Sequence, residues 1–382
     1  MIIQTPLEKL QHWTTQKPDQ TFLRQPFNGE WIHFSWKKAD DEIRRMAAYL
    51  RSLNLPPQSK IAIISKNCAH WIMSDLAIMM AGHVSVPLYP TIPADLIRYC
   101  LEHCEAKVAF IGKLDDWSKQ RSGLPDNVKG ISFPLWTEDG YENWDDIIAK
   151  TAPYSENYKG NLTDILTIIY TSGTTGIPKG VMLTHGNFIK AFDSHFEFFK
   201  FKNFEEELSL AFLPLSHVFE RSWSLLCLYG GARVYFLEDP KNVAKALEEV
   251  KPTAMCAVPR FFQKVYAGVL EKAEEGSALK KKIFDWALKT GWETAELRRN
   301  ERPVPFGLKF KESVADMLVF SKIKNKMGGR LWFLPCGGAS LSPEVTRFFE
   351  SVGIHVTVGY GLTETTATLT LFPLTHFEHG TS

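Results

Sequence analysis

From Lys60 onward the chain alternates short β-branched runs with amphipathic stretches of about 10–15 residues, and few folds accommodate that rhythm. Ile61–Ser65 reads as a strand, Ala69–Met80 as a helix, Val84–Leu88 as a strand, Ala94–Cys104 as a helix and Lys107–Ile111 as a strand. Such repeats are βαβ units, which require a parallel sheet with helices packed on it. The pattern restarts after the Gly/Pro/Asp-rich stretch 122–160. Candidate strands there are Ile165–Tyr170, Leu208–Leu213, Ala232–Phe236, Thr253–Val258, Leu331–Leu334 and His355–Val358. The expected fold is α/β, with two doubly wound α/β lobes covering residues 1–160 and 161–382.

Composition narrows the function. Lys and Arg number 44 against 43 Asp and Glu, so a net charge of +1 gives no reason to expect a nucleic-acid partner. At 45% hydrophobic and 23% charged residues the chain folds rather than staying disordered. Met1–Leu10 has no apolar core of the kind a signal peptide carries, and the apolar stretch Trp71–Val86 is broken by Ser74, Asp75 and His83. The six cysteines contain no C-x-x-C pair and sit mostly in apolar surroundings, which points to reduced thiols and a cytoplasmic location. Cys100, His103 and Cys104 share one helix face. With no further ligand pair in view, they read as a part-buried face rather than a metal site.

One interval, about 262–329, lacks strand signals and reads as a helical insert. From Lys280 to Arg330 it carries thirteen bases against six acids, a local charge of +7. That is either a solvated face or a surface for anionic lipid or for the phosphates of a large cofactor.

The most informative segment is Tyr170-Thr171-Ser172-Gly173-Thr174-Thr175-Gly176-Ile177-Pro178-Lys179-Gly180, directly after a strand. Small residues there expose successive backbone N–H groups, and the hydroxyls and Lys179 add donors suited to a polyphosphate. It is not a Walker loop, because Pro178 stands where that pattern needs glycine.

This loop resembles the phosphate loop of the adenylate-forming (AMP-binding) superfamily, and three further segments match in order. Leu213-Pro214-Leu215-Ser216-His217-Val218-Phe219-Glu220-Arg221 resembles the stretch between nucleotide and acyl pocket. Cys336-Gly337-Gly338-Ala339-Ser340-Leu341 resembles the glycine turn beside adenine, and Gly359-Tyr360-Gly361-Leu362-Thr363-Glu364-Thr365 the adenine and metal motif. The resemblance implies ATP as substrate, Mg²⁺ held by Thr171 and Glu364, and CoA as acyl acceptor. It assigns catalytic roles to Thr171, Lys179, His217 and Glu364. Nucleotide contacts fall to Thr171–Gly176, Lys179, Gly338, Ala339, Gly359, Tyr360, Gly361 and Thr363, and the acyl pocket to His217, Val218, Arg221, Gly337 and Gly338. The chemistry needs such groups, since a carboxylate attacking the α-phosphate of ATP is an anion meeting an anion.

Val218 stands where amino-acid-activating members carry an aspartate. Val258-Pro259-Arg260-Phe261-Phe262 and Gly328-Gly329-Arg330 are similar to the long-chain fatty acid–CoA ligase branch. The expected activity is therefore fatty acid activation followed by transfer to CoA, with peripheral contact to an anionic membrane. A ligase for an aryl or medium-chain acid and a non-catalytic nucleotide- or acyl-binding module remain as alternatives. The family pattern continues beyond Glu364 into a C-terminal domain with an adenylation lysine. Residues 1–382 thus read as the N-terminal part of such an enzyme, binding nucleotide weakly and turning over little alone.

Overall fold

The structure is a computed structural model and describes residues 5–134, 136, 140–156, 160–172, 176–237 and 239–380. β1 (Thr21–Phe27) and β2 (Glu30–Ser35) form an antiparallel hairpin. β3 (Lys60–Ile64), β4 (Val84–Leu88), β5 (Val108–Ile111), β6 (Lys129–Ser132) and β7 (Glu142–Asn143) follow, all parallel. β8 (Ile165–Ser172) joins them beside β4, and β9 (Pro178–Thr184) returns antiparallel, closing a seven-stranded sheet of order β7-β6-β5-β3-β4-β8-β9.

Alternate residues explain why this sheet needs helices on both faces. Ile61 and Ile63 of β3, with Val108 and Phe110 of β5, pack into one core with the helices Trp36–Ser52 and Ala69–Met80. Ala62 and Ile64, with Ala109 and Ile111, enter a second core with the helix Ala94–His103. A central parallel strand buried on both sides reads as a continuous apolar run, which is what β3 shows.

β10 (Leu208–Ala211) and β11 (Arg233–Phe236) build a second sheet, of order β10-β11-β1-β2. β12 (Phe333–Cys336), β13 (His355–Tyr360) and β14 (Thr370–Leu371) form a third. The sheets do not divide at residue 160. β8 and β9 complete the sheet begun by β3, whereas β1 pairs with β11 in the second sheet, so sequence neighbours are exchanged between sheets.

The strand expected at Thr253–Val258 is reduced to isolated bridges, Ala254 to Phe333 and Ala257 to Cys336. The segment still bonds to both neighbours: the Thr253 hydroxyl accepts the Leu208 N–H at 2.8 Å, and the Met255 and Ala257 N–H groups donate to the Phe333 and Pro335 carbonyls. The insert is helical as expected, in Pro259–Glu274, Ala278–Arg299, Phe306–Ala315 and Ser321–Lys326. Cys100, His103 and Cys104 are organised around Tyr170, whose hydroxyl lies 2.7 Å from His103 Nδ1 and donates to the Cys100 carbonyl at 3.1 Å. Among the described residues no helix is long and apolar enough to cross a membrane.

Candidate active site

Three of the four motifs lie at or just past the C-terminal ends of parallel strands, where open α/β sheets bind their ligands. Thr171 is near the end of β8, Gly337 and Gly338 follow β12, and Tyr360 ends β13. The fourth, 213–217, leads from β10 into the helix Val218–Gly230. Asn67 fixes that loop, donating to the Leu213 carbonyl (2.7 Å) and accepting from Leu215 N (3.0 Å).

These segments enclose one cavity of about 360 Å³. Thr171, His217, Val218, Gly337, Gly338, Gly359, Tyr360, Gly361, Thr363 and Glu364 all line it. Tyr360 is 50% exposed, a ring face free to take a planar partner. Gly361 has a different necessity: a Cβ there would lie 1.6 Å from the Ala367 carbonyl oxygen, so the loop can fold back only on glycine.

His217 caps the helix Val218–Gly230, its Nδ1 accepting from Phe219 N at 3.2 Å. That bond leaves Nε2 as the N–H donor of the neutral ring, and the surrounding protein holds its pKa below the usual histidine value. The imidazole is a neutral donor at pH 7. His195, which also lines the cavity, has the opposite tautomer. A carbonyl only accepts, so Nδ1 must donate to Ala191 O (2.5 Å), and Nε2 then accepts from the Thr368 hydroxyl at 3.2 Å. This bond ties the helix His185–Phe199 to the segment following Glu364.

Glu364 has no hydrogen bond or ion pair among the described residues, although it lines a cavity that Thr171 also lines. A carboxylate and a hydroxyl are hard oxygen donors of the kind Mg²⁺ takes together with substrate phosphates, so the residues present fit that ion.

Not every expected residue joins them. Arg221, expected in the acyl pocket, is fully buried on the other side of its helix and does not line the cavity. It grips Asp75 in a fork (Nε to Oδ2 3.0 Å, Nη2 to Oδ1 2.6 Å) and donates to Thr167 and Ser85. A helix residue one position from the cavity-facing Ser222 turns about 100° away from it, and there Arg221 meets β4 and β8. It anchors the helix to the sheet. Lys179 stands opposite Thr171 across the β8–β9 pair, exposed and outside the cavity lining. Gly176 and Ala339 are exposed turn residues. The side chain of Ser172 and all of Gly173, Thr174 and Thr175 lie outside the described residues.

The part that motifs did not reveal is the apolar end of the cavity. Phe192 and Phe199 from one helix, Trp223 and Leu226 from the next, and Phe333 from β12 line it. Phe199 and Phe333 meet edge to face at 4.9 Å, and the Trp223 indole is fixed by donating to Ser209 at 2.8 Å. The available signal was the aromatic spacing at 188, 192, 196 and 199, which reads as ordinary core until the cavity is seen.

Comparison with known proteins agrees with this arrangement. The AMP-binding enzyme family matches residues 10–381. Long chain acyl-CoA synthetase 3 of Arabidopsis thaliana is 30% identical over 359 residues, covering 88% of this chain and 52% of its own length. The long-chain-fatty-acid–CoA ligase FadD15 of Mycobacterium bovis is 30% identical over 371 residues, covering 95% and 61%. The chain thus spans little more than half the length of these relatives. Among solved structures, the anthranilate CoA ligase AuaEII in complex with anthranoyl-AMP superposes with a TM-score of 0.73 at 17% identity, over 100% of this chain and 64% of that one. With the family matched from end to end and the four motifs gathered at one cavity, the chain belongs to the AMP-binding enzymes.

Proposed function

We propose that this chain forms the adenylate-making part of an AMP-forming CoA ligase for a fatty acid. The observation that carries the reading is the two-ended cavity, with Tyr360, Glu364 and the glycine turn at one end and an aliphatic–aromatic arm at the other. A nucleotide lies against Tyr360 with its phosphates toward Thr171 and Glu364. The acid enters with its tail among Phe199, Leu226 and Phe333, and its carboxylate near Gly337 and His217. The neutral His217 donates Nε2–H to the carboxylate oxygen, orienting the other oxygen toward the α-phosphorus. An Mg²⁺ held at Thr171 and Glu364 supplies neutralisation of the phosphate charge. Carboxylate attack releases pyrophosphate, and the CoA thiol then displaces AMP from the acyl adenylate. Apolar walls exclude water that would otherwise hydrolyse this mixed anhydride.

The tail length is set by the aromatic end. From Gly337 back to Phe333 the strand spans four residues, about 13 Å at ~3.3 Å each. A saturated chain advances about 1.25 Å per carbon given ~1.5 Å bonds at tetrahedral angles, so roughly ten carbons reach Phe333. Longer acids require Phe199 and Phe333 to part. A medium-chain ligase is the second reading that this closure favours. Pyrophosphate release by the full-length protein over saturated acids decides between them: activity sustained at hexadecanoate supports the long-chain reading, and a sharp fall beyond about ten carbons the medium-chain one. No carboxylate-dependent release with any acid would overturn both.

A further inference from the structure

The helical insert carries a surface that the proposed chemistry does not use. From Phe306 to Lys326 the chain is one continuous helix, with a π-helical turn at Asp316–Phe320. Its inner face is packed: Ala315 is buried, as are Phe320 and Ile323. An α-helix turns about 100° per residue, which puts Phe306 about 180° and Phe310 about 140° round the axis from Ala315. Both therefore point outward, and Phe306 is 87% exposed, Phe310 and Met317 66% each. A surface helix normally has one apolar face, whereas this one has a second apolar stripe directed at solvent.

The charge around the stripe is one-sided. Lys309 and Lys311 flank Phe310, both exposed and without an acidic partner among the described residues, and Arg302 is exposed just before the helix. The helix's own acids are already satisfied. Glu312 is held by both terminal nitrogens of Arg298 (2.6 and 2.8 Å) and Asp316 by Lys324 and Ser321, whereas Glu301, accepting only from the Thr375 hydroxyl, keeps its charge beside Arg302 and leaves Lys309 and Lys311 as the surplus. The +7 of the insert is thus divided in space. Lys280–Lys282 lie about 26 Å along their helix from Arg298, which adjoins Glu312, and belong to another part of the surface.

We infer that the stripe Phe306–Phe310–Met317, with Lys309 and Lys311, docks the protein on an anionic lipid bilayer. The aromatic and thioether side chains enter the headgroup boundary while the lysines and Arg302 meet lipid phosphates. The stripe is a convex ridge with cations on its flanks, the form in which amphipathic helices lie in a membrane surface. A second copy would bring like charges together, and a groove-binding partner would find no groove. Anionic headgroups complement both the charge and the shape.

The test is co-sedimentation of the full chain with phosphatidylcholine vesicles and with vesicles containing about one-third phosphatidylglycerol, at low and high salt. The wild type binds only the anionic vesicles, and salt weakens that binding. A Phe306→Ser/Phe310→Ser/Met317→Ser variant loses about tenfold or more in partitioning, and so does Lys309→Glu/Lys311→Glu. All five positions are exposed, so thermal unfolding and nucleotide binding in solution stay at wild-type values, confirming folded variants. Absence of wild-type binding to anionic vesicles overturns the inference, as does binding indifferent to the serine variant. Self-association abolished by the serine variant, without vesicle binding, assigns the ridge to protein contact and equally overturns it.

Discussion

The two ends of the cavity are built on different principles. The motif-bearing end is made of exposed turns: Tyr360, Glu364, Gly338 and Ala339 all stand open to solvent, and little of the core depends on them. The aromatic end is made of core: Phe333 is fully buried, Phe199 and Trp223 nearly so, and behind their helices lies the Arg221–Asp75 pair. Substitutions at the first should therefore alter chemistry and spare stability, and those behind the second should do the reverse.

The largest expected effect is on the buried frame. Arg221→Ala leaves Asp75 charged and unpaired in a site with no solvent, so the variant should lose about 3–5 kcal/mol of stability in urea unfolding. Replacing both partners, as Arg221→Leu with Asp75→Leu, should recover most of that loss, since the uncompensated charge is gone. A single variant that unfolds like wild type would show that the pair does not hold the helix to the sheet.

At the opposite end, Glu364→Gln should leave the unfolding midpoint unchanged while lowering adenylate formation by the full-length protein about 10²–10³-fold, the scale of removing one group that stabilises developing charge. The loss should fall on kcat more than on KM for the acid. An equal fall in thermal stability would mean that Glu364 has a structural partner.

This division also explains what could be read from the amino-acid order. Turn motifs are dense in glycine, hydroxyl and charge, so Gly337-Gly338 and Tyr360-Gly361 stand out in one dimension and return to one cavity in three. The α/β pattern was equally legible, because Ile61–Ile64 and Val108–Ile111 are unbroken apolar runs and β4 is interrupted only by the polar Ser85. The exchange of β1–β2 and β8–β9 between sheets was not, since strand pairing such as Leu23 with Val234 leaves no local trace. Arg221 was assigned to the wrong face for a related reason. It adjoins motif residues in sequence, and only the turn of the helix separates it from the cavity. The aromatic wall was hidden because an aromatic lining a cavity and one filling a core have the same periodicity.

Glu220 sharpens the comparison, as it sits between frame and loop. Its Oε2 accepts the Leu213 N–H at 3.0 Å, and complete burial pushes its pKa up to about 8. The native state therefore retains the proton while the unfolded chain releases it near the ordinary glutamate value of about 4.5. Above that value the unfolded state binds fewer protons, so stability falls with rising pH until the native carboxyl also ionises near 8. Glu220→Gln keeps the acceptor without the charge. The gap in melting temperature in favour of the variant should be small near pH 4.5, widen toward pH 8 and then level. A constant gap across that range would mean that Glu220 ionises alike in both states.

The smallest effect is expected at Lys179, and it tests how far the exposed end contributes. Lys179 lies on β9 across from Thr171, and its side chain is exposed with no ion pair among the described residues. Lys179→Ala should therefore change stability by no more than about 0.5 kcal/mol. An exposed ammonium acts on a polyphosphate through solvent, where two unit charges at contact distance are worth only about 1 kcal/mol. The variant should weaken ATP binding by a factor of about five, a loss that shrinks as salt screens the same interaction in the wild type. Calorimetric titration with ATP at two ionic strengths measures both quantities. A loss of a hundredfold, unaffected by salt, would mean that Lys179 is drawn into the cavity when nucleotide binds. The exposed end would then rearrange around its ligand rather than stand as a preformed rim.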